Sequence, residues 1–375
     1  MSGGNGLGLQ AREWADSLAG MSSQRSPLDA EDLRVRVHKE LEAFLESQQP
    51  VLDAVGEELL PILDAARTLL AGGKRLRPAF AYWGWRGAGG DDCTEIIRAV
   101  AALEFLQACA LIHDDVMDDS DTRRGHPSAH RKFAGLHRSA QWVGSPESFG
   151  TGAAILLGDL TLTWADEMLF SAALPQDALV RAKPVYDRMR TELMAGQYLD
   201  LLEQARGGGS VERALRVARY KAAKYTVEGP LHLGATLAGA PPELLTQYSA
   251  YGIPLGEAFQ LRDDVLGVFG DPAVTGKPAG DDLREGKRTV LIAVADERSS
   301  PSQLALLHRH LGDPHLTAAG VDELRGLIEE TGALTFVEEL IASLVDESHR
   351  ALTLLPQPAH GVLDDLTFAA TRREG

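Results

Sequence analysis

The sequence contains few cysteines, little positive charge and no long apolar stretch, and each scarcity argues against a class of protein. Only two cysteines, Cys93 and Cys109, occur in 375 residues, so a disulfide framework is not expected. Lysine and arginine number 37 against 54 acidic residues, and the net charge of -17 argues against nucleic acid as a partner. No uninterrupted apolar run reaches the ~18 residues of a membrane span, and the N-terminus shows no signal-peptide core. We therefore expect a cytoplasmic protein without stable membrane insertion.

What the chain does have is helical periodicity, and it predicts an all-α fold. Residues 1–27 are rich in glycine, serine and glutamine and are expected to be a disordered or loosely docked tail, whereas residues 28–375 are expected to form one domain. No convincing alternating strand pattern is present. A capping-box-like start at Asp92 leads into the helix that ends near Asp114. The other helices are predicted at 28–47, 50–70, 152–173, 177–202, 211–238, 242–269, 317–330 and 334–355. A further helix is predicted to have Pro78 in its first turn and to end before a loop at 87–92.

An apolar helical stretch beginning near Glu104 runs directly into a cluster of acidic side chains. Five aspartates lie within eight positions: Asp114, Asp115, Asp118, Asp119 and Asp121. On a helix, Asp114 and Asp118 are one turn apart on the same face, and such close carboxylates repel each other unless a cation lies between them. Hard oxygen ligands favour Mg²⁺, which commonly shares its shell with substrate phosphates, and Arg123 and Arg124 follow as phosphate-binding candidates. The alternative is a solvated acidic helix end.

A second acidic cluster lies far downstream, where Gln260, Asp263 and Asp264 again follow a helical sequence. Two aspartate-rich helices facing each other across a helical bundle can form a metal site in its core. Upstream, residues 72–78 read Gly-Gly-Lys-Arg-Leu-Arg-Pro, in which a flexible glycine pair adjoins three cations. In this order, the three motifs resemble the trans-isoprenyl diphosphate synthases, or polyprenyl synthetases, most of all those that make geranylgeranyl diphosphate. The resemblance extends from about Leu41 to near the C-terminus.

The resemblance implies an isoprenoid synthase-like helical bundle around a central cavity, a homodimer, and a Mg²⁺-dependent prenyltransferase that condenses isopentenyl diphosphate with an allylic diphosphate. It places the metal on Asp114, Asp118 and Asp263. It places the allylic diphosphate on Arg123, Lys221, Gln260, Lys277 and Lys287. It places isopentenyl diphosphate on Lys74, Arg77, Gln107 and Arg124. It implies catalytic roles for Asp114, Asp115, Asp118, Arg123, Lys221, Asp263 and Lys277.

The chain departs from the family pattern at three positions. Gln107 stands where the family often has histidine, and it can donate a hydrogen bond but cannot become cationic. Ala222 replaces the threonine that usually follows Lys221, and Gly267 replaces the third aspartate of the second cluster. Asp271, about two helical turns after the second cluster begins, is a candidate to stand near the same face.

The glycine-rich stretch 270–289, which carries Lys277 and Lys287, is expected to be a lid. Lys224 is a weaker rival of Lys221. The basic residues Arg372 and Arg373 are expected to be solvent-exposed, although they could fold over the isopentenyl site.

Product length is predicted from the side chains that precede Asp114 on its helix. Cys109 and Ala110 are small, and Leu106 is the first large side chain below them, about 12 Å from Asp114 at 1.5 Å per residue. In the family, an aromatic residue just before the first aspartate cluster favours shorter products. Its absence here favours the C20 product, with farnesyl or longer polyprenyl diphosphates as alternatives. Cys109 could instead face a neighbouring helix as ordinary core.

Two other functions share these motifs. A class I terpene cyclase uses the same metal-driven ionisation, but such cyclases usually carry a second metal motif that begins with asparagine, and the only asparagine here is Asn5. A regulatory subunit of a heteromeric synthase would tolerate the substitutions at Gln107, Ala222 and Gly267, but such subunits commonly lose the aspartate motifs themselves. Activity of the purified chain alone discriminates between an enzyme and a regulatory subunit.

Overall fold

The computed structural model describes residues 27–270 and 280–371, and this part of the chain is almost entirely helical. The exception is a pair of two-residue antiparallel strands, β1 (Thr122–Arg123) and β2 (His126–Pro127). The helices before residue 210 are α1 (Leu33–Asp53), α2 (Leu60–Ala71), α3 (Leu76–Gly87), α4 (Thr94–Met117), α5 (Ala129–Ser139), α6 (Pro146–Phe170) and α7 (Gln176–Arg206). Those after it are α8 (Val211–Val217), α9 (Gly229–Leu237), α10 (Pro242–Phe269), α11 (Asp281–Arg284), α12 (Val290–Arg298), α13 (Pro301–His310), α14 (Ala318–Glu330), α15 (Ala333–Leu352) and α16 (Ala359–Thr371). The predicted all-α class is confirmed.

Helix α4, which carries the first aspartates, is enclosed by its neighbours. It packs most extensively on α6, and α1 and α3 cover other sides. Phe105 lies 5.0 Å from Phe44 and 5.8 Å from Trp164 between ring centroids, which locks α4 between α1 and α6. By length and composition alone α4 could cross a membrane, but 72% of its apolar window is buried inside the protein. Its apolar character therefore fits a core helix, as expected of a helix without a polar face.

Two clusters of buried apolar side chains form the core, and α10 contributes to both. Its first half places Tyr251 and Leu255 in the larger cluster around α4. Its second half places Leu261 and Val265 in a smaller cluster with α12, α14 and α15. Asp263 and Asp264 therefore lie in the half of α10 that packs in the smaller cluster, on a helix that both clusters hold in place.

Between α8 and α9, residues Ala218–Glu228 form a π-helical segment. The N–H of Gly229 bonds to the carbonyl of Lys224, five residues earlier, and Pro230 has no N–H with which to continue an ordinary ladder. Sequence periodicity predicted one continuous helix over 211–238; the helical path is right, but the wide turns are not readable from the pattern. Such segments change the direction of the side chains they carry, and this one carries Lys221.

Several predicted helix ends differ from the structure, and two of these differences have a physical reason. Helix α1 runs through Pro50 to Asp53, because an exposed proline near a helix end removes a single hydrogen bond whose acceptor water can satisfy. Asp92 does not cap α4: its Oδ1 accepts hydrogen bonds from Arg36 Nη2 (2.8 Å) and Tyr82 Oη (3.0 Å), and Cys93 takes the cap position. Five helices were not predicted: α5, α11, α12, α13 and α16.

Candidate active site

The first aspartate cluster lies at the C-terminal end of α4. Asp114 is in the last turn, and Asp118, whose N–H bonds to the carbonyl of Asp114 at 2.8 Å, ends the helix. The side chain of Asp118 is 1% exposed, and neither of its oxygens accepts a hydrogen bond. Burial, together with the charge of Asp114, raises the pKa of Asp118 to about 6 despite a nearby lysine. Two carboxylates one turn apart thus create a concentrated negative charge beneath the protein surface.

Lys221 and two residues of α7 converge on Asp114. Lys221 Nζ lies 3.0 Å from Asp114 Oδ1 and 2.6 Å from Asp200 Oδ2, and Gln197 Nε2 donates to Asp114 Oδ1 at 3.0 Å. Burial would lower the pKa of Lys221, but Asp114 and Asp200 raise that pKa above its usual value. Burial would likewise raise the pKa of Asp114, but Lys221 lowers it. The pair is therefore fully charged at neutral pH.

Arg123 is presented to the same cluster by strand β1. Its Nε donates to Asp115 Oδ1 at 2.8 Å, and its Nη2 lies 3.8 Å from Asp114 Oδ2. Asp115 is 2% exposed and forms a buried ion pair with the arginine. Within the cluster, Asp115 thus orients Arg123, whereas Asp114 and Asp118 are the carboxylates that pair with the lysines.

The second cluster lies on α10. Gln260 Nε2 donates to Asp264 Oδ1 at 2.7 Å, and burial followed by the charge of Asp282 raises the pKa of Asp264 to about 8. Asp263 is half-buried on the adjacent face of the helix. At Gly267 a Cβ atom would lie 1.8 Å from Asp282 Oδ2, so a carboxylate from α11 fills that space. The structure places this carboxylate, a residue that the sequence motifs did not single out, beside the second cluster.

Lys287, just after α11, connects the two clusters. Its Nζ lies 3.3 Å from Asp118 Oδ2, 3.3 Å from Asp282 Oδ1 and 2.5 Å from Glu285 Oε2. Burial would lower the pKa of Lys287, but Asp282 and Glu285 raise it well above its usual value. Ser120 Oγ donates to Glu285 Oε1 at 2.8 Å and ties this segment to the end of α4. The predicted site residue Lys277, like Asp271, Arg372 and Arg373, lies outside the described residues.

A separate basic region lies between α2 and α3. Arg77 Nη2 donates to Thr226 Oγ1 at 2.8 Å, its guanidinium lies 4.3 Å from the ring centroid of Tyr225, and its Nε is buried without a hydrogen-bond partner. Arg124 Nη1 donates to the carbonyls of Leu69 (2.7 Å) and Gly72 (2.8 Å). Arg124 therefore contacts the end of α2 and the loop that follows it, whereas Arg77, in the first turn of α3, contacts the π-helical segment.

The other residues of this region differ in their burial and in the groups they contact. Lys74 is exposed, and Gln107 Oε1 is buried without a hydrogen-bond partner. Arg75, by contrast, is 4% exposed and pairs with Glu104, so it stabilises the fold instead of facing a ligand. At Gly73, with φ +112, a Cβ atom would lie 2.8 Å from Arg124 Nη2, which explains why the loop needs glycine there.

The three residues proposed to set product length have different environments. Ala110 is half-buried, one turn before Asp114 on the same helix face. Cys109 and Leu106 are fully buried. Cys109 Sγ lies 3.7 Å from His113 Nδ1, and His113 Nε2 lies 3.2 Å from the carbonyl oxygen of Ile155 on α6, so Cys109 is on the side of α4 that approaches α6. Their role in product length stays a prediction.

Lys224, the rival of Lys221, is directed elsewhere. Its Nζ lies 3.1 Å from Glu192 Oε2 and 3.3 Å from Glu228 Oε2. Within residues 27–270 and 280–371, no three carboxylate, imidazole or thiol groups gather as a closed metal cage. A Mg²⁺ ion that shares its shell with phosphate needs only one or two carboxylates from the protein, so a site without a closed cage is compatible with the predicted ion.

The chain is similar to proteins of known activity over most of its length. A family model described as polyprenyl synthetase matches residues 61–328, which include both aspartate clusters. The crystal structure of geranylgeranyl pyrophosphate synthase from Corynebacterium glutamicum, complexed with isoprenyl diphosphate and magnesium, matches with a TM-score of 0.87 and 41% identity, covering 90% of this chain and 98% of that one. Geranylfarnesyl diphosphate synthase from Aeropyrum pernix is 31% identical over 290 residues, 76% of this chain and 85% of the relative. Geranylgeranyl diphosphate synthase from Methanosarcina mazei is 30% identical over 311 residues, 81% of this chain and 89% of the relative.

Proposed function

The chain belongs to the polyprenyl synthetase family, and from this premise we propose how its residues divide the reaction between two diphosphates. It is a trans-prenyltransferase that extends an allylic diphosphate with isopentenyl diphosphate, as the sequence motifs predicted. The observation that carries the division of roles is the pairing of buried Asp114 and Asp118 with ammonium groups from two distant segments, Lys221 and Lys287. These charges surround one point at the end of α4, which we assign to the allylic diphosphate.

Prenyltransferases of this family use metal ions, and the donor set here fits Mg²⁺. The buried oxygens of Asp118 accept no hydrogen bond and have only the Lys287 ammonium group beside them, so they retain lone pairs for a further cation, and a hard divalent ion suits carboxylate oxygen. We assign the ion to Asp114, Asp118 and Asp263. When bound, Mg²⁺ neutralises the charge that grows on the diphosphate as the allylic C–O bond breaks.

On the allylic side, the residues of the chain supply positive charge and position the leaving group. Arg123, held by Asp115, and Lys221, held by Asp200, carry fixed charges toward the diphosphate. Lys287 adds a third charge, and Gln260, with Lys277, completes the proposed set. Stabilising the departing diphosphate leaves an allylic cation, so the chain needs no nucleophile of its own. The enclosing helices keep water from the cation.

On the isopentenyl side, the basic loop between α2 and α3 binds the second diphosphate. The proposed contacts are Lys74, Arg77, Gln107 and Arg124. The unpaired Nε of Arg77 and the unpaired Oε1 of Gln107 support this role, because buried polar atoms normally have partners. From this position the substrate presents its double bond to the allylic cation and then loses a proton to the departing diphosphate, which completes one extension.

Substitution of the basic loop should affect one substrate selectively. Lys74→Ala and Arg77→Ala are each expected to raise KM for isopentenyl diphosphate roughly tenfold or more, since a hydrogen bond to a charged group contributes about 1.5–3 kcal/mol. KM for the allylic substrate should change less. Arg67→Ala, which removes a cation on α2 that pairs with Glu42 of α1, is the control. Steady-state kinetics with each substrate varied in turn gives the comparison; equal effects on both substrates would reverse the assignment.

We propose geranylgeranyl diphosphate as the product, because no aromatic side chain occupies positions 109 or 110. Cys109→Phe is then expected to shift the product toward C15 by filling the cavity, and Leu106→Ala to lengthen it by removing the floor. Chromatography of the hydrolysed prenyl alcohols measures both, with Cys109→Ser as the control of similar volume. A folded Cys109→Phe protein that still makes C20 would place the floor on another helix.

The assembly, location and domain organisation are part of the proposal. Exposed apolar side chains on α6, with Ile155 at 44% and Leu156 at 65%, form a surface that a second copy would cover, and we propose a homodimer. Light scattering gives its mass. We propose a cytoplasmic location. We also propose one domain over residues 28–375, because α10 contributes side chains to both core clusters.

The experiment that tests the function is product analysis by mass spectrometry. The purified chain receives isopentenyl diphosphate, Mg²⁺ and, in separate reactions, dimethylallyl, geranyl or farnesyl diphosphate. We expect elongation without any other protein, and a C20 product. A chain that is inactive alone but activates a partner would instead be a regulatory subunit, and a cyclic hydrocarbon formed from the allylic substrate alone would identify a cyclase.

A further inference from the structure

The second aspartate cluster lacks a side chain at position 267 of α10, and a residue of α11 occupies that space. Position 267 lies four residues after Asp263 and three after Asp264, so a side chain there would share their face of α10. The residue is glycine, and any Cβ atom would lie 1.8 Å from Asp282 Oδ2 and 2.6 Å from Asp282 Cγ. A carboxylate therefore already occupies the space that a side chain at position 267 would take, and it comes from α11.

The same carboxylate is also linked to the first cluster. Lys287 Nζ lies 3.3 Å from Asp282 Oδ1 and 3.3 Å from Asp118 Oδ2, so one positive charge bridges the two groups. Asp118 is 1% exposed, and its oxygens accept no hydrogen bond. Asp282 is therefore placed between the second cluster, which it touches at Gly267, and a carboxylate of the first cluster that requires a cation.

We propose that Asp282 belongs to the cation-binding carboxylates of this site and supplies the third carboxylate that α10 lacks. The proposal rests on the proposed function, because the cation in question is the divalent ion assigned to Asp114, Asp118 and Asp263. It also explains Gly267: only glycine leaves room for a carboxylate that arrives from another segment. The competing explanation is that Asp282 only orients Lys287, in which case its position next to Gly267 has no part in binding the ion.

Moving the carboxylate from one segment to the other separates these explanations. The variants are Asp282→Asn, which keeps the shape, Asp282→Ala, and Asp282→Ala combined with Gly267→Asp. Binding of Mn²⁺ is measured by electron paramagnetic resonance titration in the presence of inorganic pyrophosphate, so the readout does not depend on turnover. Asp281→Ala, on the same short helix, is the control, and circular dichroism reports folding.

We expect Asp282→Asn and Asp282→Ala to weaken Mn²⁺ binding by at least roughly tenfold, the lower end of the effect for groups that support a metal site. The combined variant should recover most of the affinity, because it restores a carboxylate in the same space without restoring the partner of Lys287. Unchanged affinity in Asp282→Asn, or a folded combined variant with no recovery, overturns this inference alone. A parent protein that binds no Mn²⁺ with pyrophosphate overturns the proposed function along with it.

Discussion

Asp114→Asn is expected to lower turnover by roughly three orders of magnitude, because each tenfold corresponds to about 1.4 kcal/mol and a catalytic metal contributes several kcal/mol of charge stabilisation. Asparagine has the shape of aspartate and can still accept hydrogen bonds from Gln197 and Lys221 at its Oδ1. The fold should therefore survive. What is lost is one negative charge at the centre of the cluster, which weakens the hold on a divalent cation and leaves Lys221 less well paired.

The measurement combines turnover with circular dichroism and uses a matched aspartate as control. Asp119→Asn changes a residue of the same cluster whose side chain is 78% exposed and pairs with Arg131, so turnover should stay near the parent value. Asp263→Asn on α10 should behave like Asp114→Asn. A folded Asp114→Asn protein with a near-parental rate would remove the metal assignment, whereas equal losses in Asp119→Asn would mean that charge anywhere on the cluster matters.

Helical spacing is what made the first cluster predictable. Asp114 and Asp118 must share a face if the segment is a helix, and the structure shows α4 ending there. Arg123 follows closely enough in sequence to lie near that end, and it donates a hydrogen bond to Asp115 there. Gln260 and Asp264 are four residues apart on α10 and bond to each other, as the same rule allows. Helical spacing therefore predicted which residues lie close together wherever both residues belong to one helix.

Contacts between distant segments were not predictable in this way. Asp282 fills the space at Gly267 from a different helix, α11, and the sequence pattern does not specify how α11 packs on α10, so Asp271 was considered instead. Arg75 reads like its neighbours Lys74 and Arg77, yet it pairs with Glu104 inside the core. Hydrophobic periodicity reports which face of a helix is buried but not which charged group it meets across an interface.

The overall charge of the molecule makes the positions of its few cations important. A protein with a net charge of -17 repels a diphosphate at long range, so binding depends on local positive charge. Lys221 and Lys287 are held at the site by Asp200 and Glu285, which keeps them charged despite burial. The acidic residues of the site therefore have two functions: some are proposed to bind metal, and others hold the lysines that face the substrate.

Lys221→Ala is expected to reduce turnover roughly 100-fold, the effect of removing one preorganised donor from a developing anion. The π-helical segment places Lys221 Nζ against Asp114 and Asp200, whereas Lys224, three residues later, pairs with Glu192 and Glu228. Lys224→Ala is therefore a matched control on the same segment and should retain turnover. Because removing one member of a buried ion pair can destabilise the fold, Lys221→Gln, which keeps a hydrogen-bond donor without the charge, is measured beside it.

The two lysines give opposite expectations that a single set of assays can resolve. Turnover is measured at saturating substrate, together with thermal unfolding, for Lys221→Ala, Lys221→Gln and Lys224→Ala. If Lys221 acts on the leaving diphosphate, both of its variants lose turnover while at least Lys221→Gln stays folded at the parent temperature. Loss of turnover that follows loss of stability would make Lys221 a structural group, and a larger loss in Lys224→Ala would show that the wide turns of the segment present the other lysine to the substrate.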